Sequence, residues 1–257
     1  MKRYLTWLTL LMLLCGWQLT QANNLDNAAP VLKYSLSGSG NYFPYYTHDP
    51  VHPGIFPDSI SAILAAAALK GENLVLPAKR TVYYLESGQL DFDVLSPDWL
   101  SETQRQNKLF VFSEPFLAIN EYVVTRPDFN RNHQPLLAGQ VVGTVRGYYY
   151  HDDAEFERQD FNSERELMQA LHIGRVDRII IGDLPALYWS QELGIPFQYS
   201  ALHSKGELHI RLLAKHQNLL PQLNTAIKEL KASGTFIAIE KQYVSSLEKL
   251  PTVINGQ

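Results

Sequence analysis

The amino-acid sequence predicts an α/β protein built as two similar lobes joined by a two-strand hinge. Three observations predict it. Strand-like and helix-like stretches alternate along the chain, the pattern of sheets flanked by helices. A helix–glycine–aspartate–strand passage occurs twice, at Leu85–Asp91 and at Leu171–Asp177. Two apolar stretches, Tyr122–Thr125 and Leu208–Ala214, stand where the chain would pass between the halves.

The chain opens with Lys2 and Arg3, an apolar run from Leu5 to Leu14, and Thr20, Gln21 and Ala22. That is the three-part pattern of a secretory signal peptide, residues 1–22, with cleavage expected after Ala22. The run is shorter than the roughly 20 apolar residues of a spanning helix. Cys15, the only cysteine, falls inside this segment and follows Leu14, not the small residue a lipid anchor wants. The mature chain then has no disulfide and relies on its core, which its length permits.

Asn23 to Pro30 reads as a loose mature N-terminus. Val31 to Leu36 is the first strand, broken by Gly38–Asn41 and followed by a tyrosine-rich loop. Asp58 or Ser59 caps the expected start of a helix whose apolar face carries Ile60, Ile63, Leu64 and Ala67. Lys70-Gly71 is its expected stop, and Leu74–Leu76 the second strand. The repeated passage reads the same way twice: a helix ends at Gly88 or Gly174, an aspartate occupies the turn, and a buried strand begins. Ser163 and Glu166 form an expected capping box for the second of these helices. Val141–Val145 is a further strand, Leu184–Leu193 a helix, and two helical stretches near Leu220–Leu230 and Ile239–Leu247 follow. These elements place a first lobe at 23–123, a second at 124–208, and a return to the first at 209–257. A single α/β domain that repeats common turn chemistry is the alternative.

Composition narrows the function. With 22 Lys and Arg against 26 Asp and Glu, the net charge is −4. No basic run of the nucleic-acid kind appears. None of the eight histidines has the spacing of a metal motif, and Pro50 and Pro53 break the helix that would align His48 with His52. There is no nucleophile elbow, and Gly38-Ser39-Gly40 is too short for a phosphate loop. No cofactor, metal or catalytic residue is expected, although a hidden acid/base pair of carboxylates stays open.

Ligands of open α/β sheets lie beyond the carboxyl ends of strands. That rule selects Tyr42 and Tyr45 after the first strand, and Ser96 and Trp99 after Val94-Leu95. It selects Arg146 and Tyr148 after Val145, and Asp183 after Ile179–Ile181, where Asp183 also suits a helix N-cap. Arg80, at a helix start, joins them. Aromatic side chains would wall the site, and a helix opening at Gly147 would present free N–H groups to an anion.

Several segments in order resemble the periplasmic solute-binding proteins of the polar amino-acid type, extracellular solute-binding protein family 3. They are Tyr42-Phe43-Pro44-Tyr45, Gly54–Asp58, Gly88–Asp91, Phe112–Phe116, Leu137–Gly143, Gly174–Asp177, Ile181–Asp183 and Leu223–Gly234 with Ile239–Tyr243. The resemblance covers nearly the whole mature chain. It implies the type II periplasmic binding fold, each lobe a mixed sheet flanked by helices. It also implies capture of a small amino-acid-like molecule, delivery to an ABC transporter permease or a receptor, and a monomer. In that family Asp183 would receive a ligand ammonium. Two departures weaken the transfer of ligand identity: Ser96–Arg105 holds no threonine-x-x-arginine in register, and Gly147 is followed by Tyr148 where the family has threonine.

Overall fold

The computed structural model describes residues 31–36, 42–47 and 49–245. The expected signal peptide, its cleavage point and Cys15 lie outside them.

The first strand, β1 (Val31–Ser35), pairs in parallel with β3 (Phe92–Leu95). Between them come α1 (Ile55–Ala66), β2 (Lys70–Asn73) and α2 (Ala78–Glu86). Helix α1 starts three residues before the expected cap, directly after Gly54. Asp58 is not the cap; it accepts a hydrogen bond from the Tyr243 hydroxyl at 2.6 Å. The second strand is likewise earlier than expected, because α1 already ends at Ala66 and Gly71 lies within β2, leaving Leu74–Leu76 as connection.

The repeated passage is realised as read. Helices α2 and α4 (Glu164–His172) are followed by Gly88 and Gly174, with φ of 75° and 73°, a left-handed turn that glycine adopts without strain. The turn aspartates then tie the layers together. Asp91 accepts from the Lys33 N–H at 2.9 Å, and Asp177 from Arg126 at 2.9 Å. Ser163 caps α4 by accepting from Glu166 N–H at 3.2 Å. The Glu166 carboxylate reaches back to Asn162 N–H, one residue before the cap, so the box is displaced by one position.

Strand β3 leads through a single 3-10 turn, Pro97–Trp99, and the short α3 (Glu102–Arg105) to β4 (Phe110–Phe112) and β5 (Leu117–Thr125). Strands β6 (Val141–Val145) and β7 (Glu157–Phe161) are parallel, β6 is parallel to β8 (Arg178–Gly182), and β8 is antiparallel to β5. Helix α5 (Asp183–Leu193) follows β8, and the sixteen-residue β9 (Gln198–Leu213) follows α5. Helices α6 (Leu220–Ala232) and α7 (Thr235–Val244) end the described chain.

The strand order is β2-β1-β3-β9-β5-β8-β6-β7, with β4 also on β9. Strands β5 and β9 run antiparallel across the middle. The late half of β9 pairs β3 and β4, its early half stays on β5, and β5 carries the pairing on to β8. Two strands therefore serve both ends of the sheet, the arrangement the sequence predicts for a hinge. The cores are separate. The largest contains Leu32, Ile60, Ile63, Phe92, Ile210, Leu212, Leu223 and Ile227, the next Val124, Leu167, Leu171, Ile179, Ile181 and Ala186, and smaller clusters gather about Val142 with Ile180 and about Leu85 with Leu90. Each fully buried aliphatic side chain is worth about 1.5–3 kcal/mol relative to exposure, so both halves carry their own stabilising core. The last two helices return to the first core through Leu223, Ile227, Phe236 and Tyr243.

Candidate functional site

A crevice of about 110 Å³ lies between the two halves, against β3, β5 and β9. It is well below the roughly 300–1,000 Å³ of drug-sized pockets, a size for a small solute.

One wall is Trp99. Ser96 accepts a hydrogen bond from Asp98 N–H and so caps the short turn that presents the indole. The ring lies flat on the β9 backbone at Gly206, where a Cβ would stand 2.5 Å from the indole Cζ2. Only glycine permits that approach. The indole Nε1 donates to Ser204 Oγ at 3.1 Å, and Ser204 donates to Glu121 Oε2 at 2.6 Å. Glu121 is 6 % exposed and lines the crevice.

The floor is charged. Arg211 of β9 forms a two-pronged bond to Asp93 of β3, Nε to Oδ1 at 2.9 Å and a terminal nitrogen to Oδ2 at 2.5 Å. Burial works against the guanidinium charge, but the Asp93 carboxylate outweighs it and raises the Arg211 pKa above its ordinary value. Rings of Phe110 and Tyr149 cover the guanidinium at 4.9 and 5.8 Å.

The opposite wall comes from the loop after β6. Arg158 of β7 binds the carbonyls of Val145 and Tyr148, each at 3.1 Å, and is held by Asp153 and Asp160. It fixes the tyrosine run. Tyr148 donates to Glu164 at 2.8 Å, Tyr149 faces Arg211, and Tyr150 turns inward to accept from Val145 N–H. No helix opens at Gly147; Arg146-Gly147 is a turn and Tyr148–Tyr150 are irregular, so the expected helix N-terminus for an anion does not form there.

Contacts cross the crevice. The Phe43 and Tyr188 rings stack at 4.0 Å, and Tyr42 meets Tyr148 edge-on at 5.9 Å. Tyr45 donates to Asp183 Oδ1 at 3.4 Å. Asp183 also accepts from Asn120 at 3.2 Å and from Leu184 N–H at 2.8 Å. Burial raises its carboxyl above the ordinary range, and those three hydrogen bonds only partly offset it. It is the first residue of α5, with Gly182 at the cap position instead.

The structure thus brings Tyr42, Trp99 and Tyr148 together on the crevice lining. Tyr45 and Asp183 meet each other beside it. Ser96 is fully buried as a cap, and Arg80 and Arg146 are exposed, outside the lining. Sequence reasoning missed Asp93, Glu121, Tyr149 and Arg211. A signal was available: Asp93 interrupts the apolar strand Phe92–Leu95 and Arg211 the apolar end of β9, Ile210–Leu213, and buried charges need partners.

A second polar group adjoins Glu121. His203 Nε2 lies 2.9 Å from Asp152 Oδ1, and its Nδ1 lies 3.8 Å from Glu121 Oε2. Burial opposes its charge, but the two carboxylates prevail and the imidazole is pushed up to about 9.

The fold is widely shared. A mutant of ArgBP from T. maritima is 17 % identical, with 83 % of this chain and 95 % of that one covered at a TM-score of 0.66. A histidine kinase sensor domain with similarity to periplasmic binding proteins is 16 % identical, covering 84 % and 96 % at 0.67. A periplasmic His/Glu/Gln/Arg/opine family-binding protein from Silicibacter pomeroyi, in complex with lysine, is 16 % identical, covering 86 % and 100 % at 0.67. No curated protein matches in sequence. The shared fold is the two-lobed type II periplasmic binding architecture. Residues 35–246, spanning both cores, the two through-running strands and every wall of the crevice, match one family: the chain belongs to the bacterial extracellular solute-binding proteins, family 3.

Proposed function

We propose that this solute-binding protein captures an amino acid or a closely related zwitterion in the crevice between its lobes. The observation that supports it is a small crevice whose lining carries both signs of charge among aromatic rings. Asp93 engages two of the five N–H groups of Arg211 and Tyr149 a further one, which leaves donors for a ligand carboxylate. Glu121 and the faces of Trp99, Tyr42 and Tyr148 suit an ammonium. Tyr45 and Asp183 act as a latch that forms on closure, since closure is driven only by contacts that the closed state alone possesses. The lobes divide at 123/124 and 208/209, within the paired strands.

In this reading the chain is exported, acts as a monomeric binder and not a catalyst, and hands its solute to an ABC transporter permease. The sensor-domain likeness favours a second reading, in which the closed form signals to a membrane receptor. No helix among the described residues is long and apolar enough to cross a membrane.

The test is a thermal-shift screen of the mature protein against amino acids, polyamines, small acids and sugars. A ligand at a hundred times its Kd adds about 2.7 kcal/mol, or roughly 5–11 °C for a chain of this size. A folded sample that responds to sugars, or to no amino acid, would reject the ligand class.

A further inference from the structure

His151 and Asp152, on the loop after β6, meet His203 of β9, and their metal-ligating atoms all lie within 4.8 Å of one another. The approach depends on a β-bulge. Glu121 pairs with Ser204 and Tyr122 with Leu202, so His203 is the extra residue, turned away from the regular alternation toward the loop. Its side chain is only 2 % exposed and Asp152 only 12 %. The His151 and His203 rings lie 4.9 Å apart, tilted by 36°. The buried Nδ1 of His203 has no hydrogen-bond partner and faces the Glu121 carboxylate.

We propose that His151, Asp152 and His203 bind one divalent transition-metal ion of the zinc type, with Glu121 orienting His203 from behind. Two imidazoles and one carboxylate are the donors such an ion takes, whereas calcium and magnesium want oxygen alone. In a tetrahedral zinc site the ligand atoms stand about 3.3 Å apart, from bond lengths of about 2.0–2.1 Å. The Nε2–Oδ1 separation of 2.9 Å needs to widen only slightly. Exposed His151 has room to swing in as the third ligand. With Nε2 on the metal, the proton of His203 sits on Nδ1, where Glu121 can receive it. A carboxylate behind a ligating histidine is the usual outer-shell arrangement, and its loss typically costs 10- to 100-fold in affinity. The site is independent of the solute reading, although Glu121 touches both.

The experiment is calorimetric titration of chelator-treated, full mature protein with zinc chloride near pH 7.5, beside His151→Ala and Glu121→Gln. Circular dichroism confirms that each variant is folded; His151 is exposed, so its replacement spares the core. Expected are one zinc per chain, at least about a hundredfold weaker binding in His151→Ala, and a loss of about 10- to 100-fold in Glu121→Gln. Cobalt loading supplies a second readout, a visible absorption band present in the wild type and absent in His151→Ala. No saturable zinc binding, or equal affinity in wild type and His151→Ala, would overturn the proposal and leave an ordinary His203–Asp152 pair.

Discussion

Removing Asp93 alone should destabilise the protein far more than removing the whole Asp93–Arg211 pair. The two side chains are 8 % and 5 % exposed and joined by two hydrogen bonds, so water screens them little. Asp93→Ala strands a buried guanidinium, and breaking a buried pair in this way costs about 3–5 kcal/mol. At about 2–4 °C per kcal/mol for a chain of this size, Tm should fall by about 6–20 °C. Asp93→Ala combined with Arg211→Met removes both desolvation penalties, and such replacements are commonly neutral or stabilising. The double variant should therefore be more stable than Asp93→Ala. Urea unfolding followed by circular dichroism, with calorimetry for Tm, measures all three. A loss below about 1 kcal/mol in Asp93→Ala, or a double variant no more stable than Asp93→Ala, would refute the reasoning. The crevice floor would then be wetter than the geometry indicates.

Trp99→Ala removes a wall and Asp183→Ala removes the latch; both should weaken the best solute from the screen by at least about tenfold, roughly 1.4 kcal/mol, with circular dichroism unchanged. Unaltered calorimetric affinity in both variants counts against the site. Gly206→Ala places a methyl 2.5 Å from the indole, so Trp99 must leave the β9 backbone; its fluorescence should shift toward the red as the ring meets water, and a wild-type emission spectrum would contradict the packing. Burial works to raise the Asp91 carboxyl, but Lys33 N–H, His216 and Lys215 outweigh it and hold it below the ordinary value. A carboxyl lowered on folding adds stability that is complete above its unfolded value, about 3.9, and is lost as pH falls through the folded one. Asp91→Asn should thus unfold more easily at pH 7, with the gap to wild type closing below about pH 4; a gap independent of pH would remove Asp91 from the account.

The framework was legible in sequence where local chemistry decides it. Gly88 and Gly174 mark helix ends because only one backbone conformation serves there, and the aspartates that follow them fix the next strand. The hinge was readable because Tyr122–Thr125 and Leu208–Leu213 are mainly large apolar residues, broken only by Thr125, His209 and Arg211, as befits strands largely covered on both faces. The site was half legible. The rule that loops at strand ends hold ligands located Tyr42, Trp99 and Tyr148, but it gives no side-chain direction, so it admitted exposed Arg80 and Arg146 equally. Asp93 and Arg211 escaped because they are 118 residues apart and meet only through the β3–β9 register. His151 and His203 escaped for the same reason: a bulge, not a spacing, joins them. The start of α1 was misplaced because Asp58 looks like a cap but serves Tyr243, nearly two hundred positions away.

Strand β9 has a consequence for how genes of this kind can drift. Its residues 208, 210 and 212 point into one core, and side-chain direction along a strand has a period of two. Adding or deleting a single codon between the bulge and Leu213 would turn that apolar row outward while leaving the partner strands in place. Spelling can change along this ribbon, but its length is locked, and tolerated insertions belong to the loops at either end.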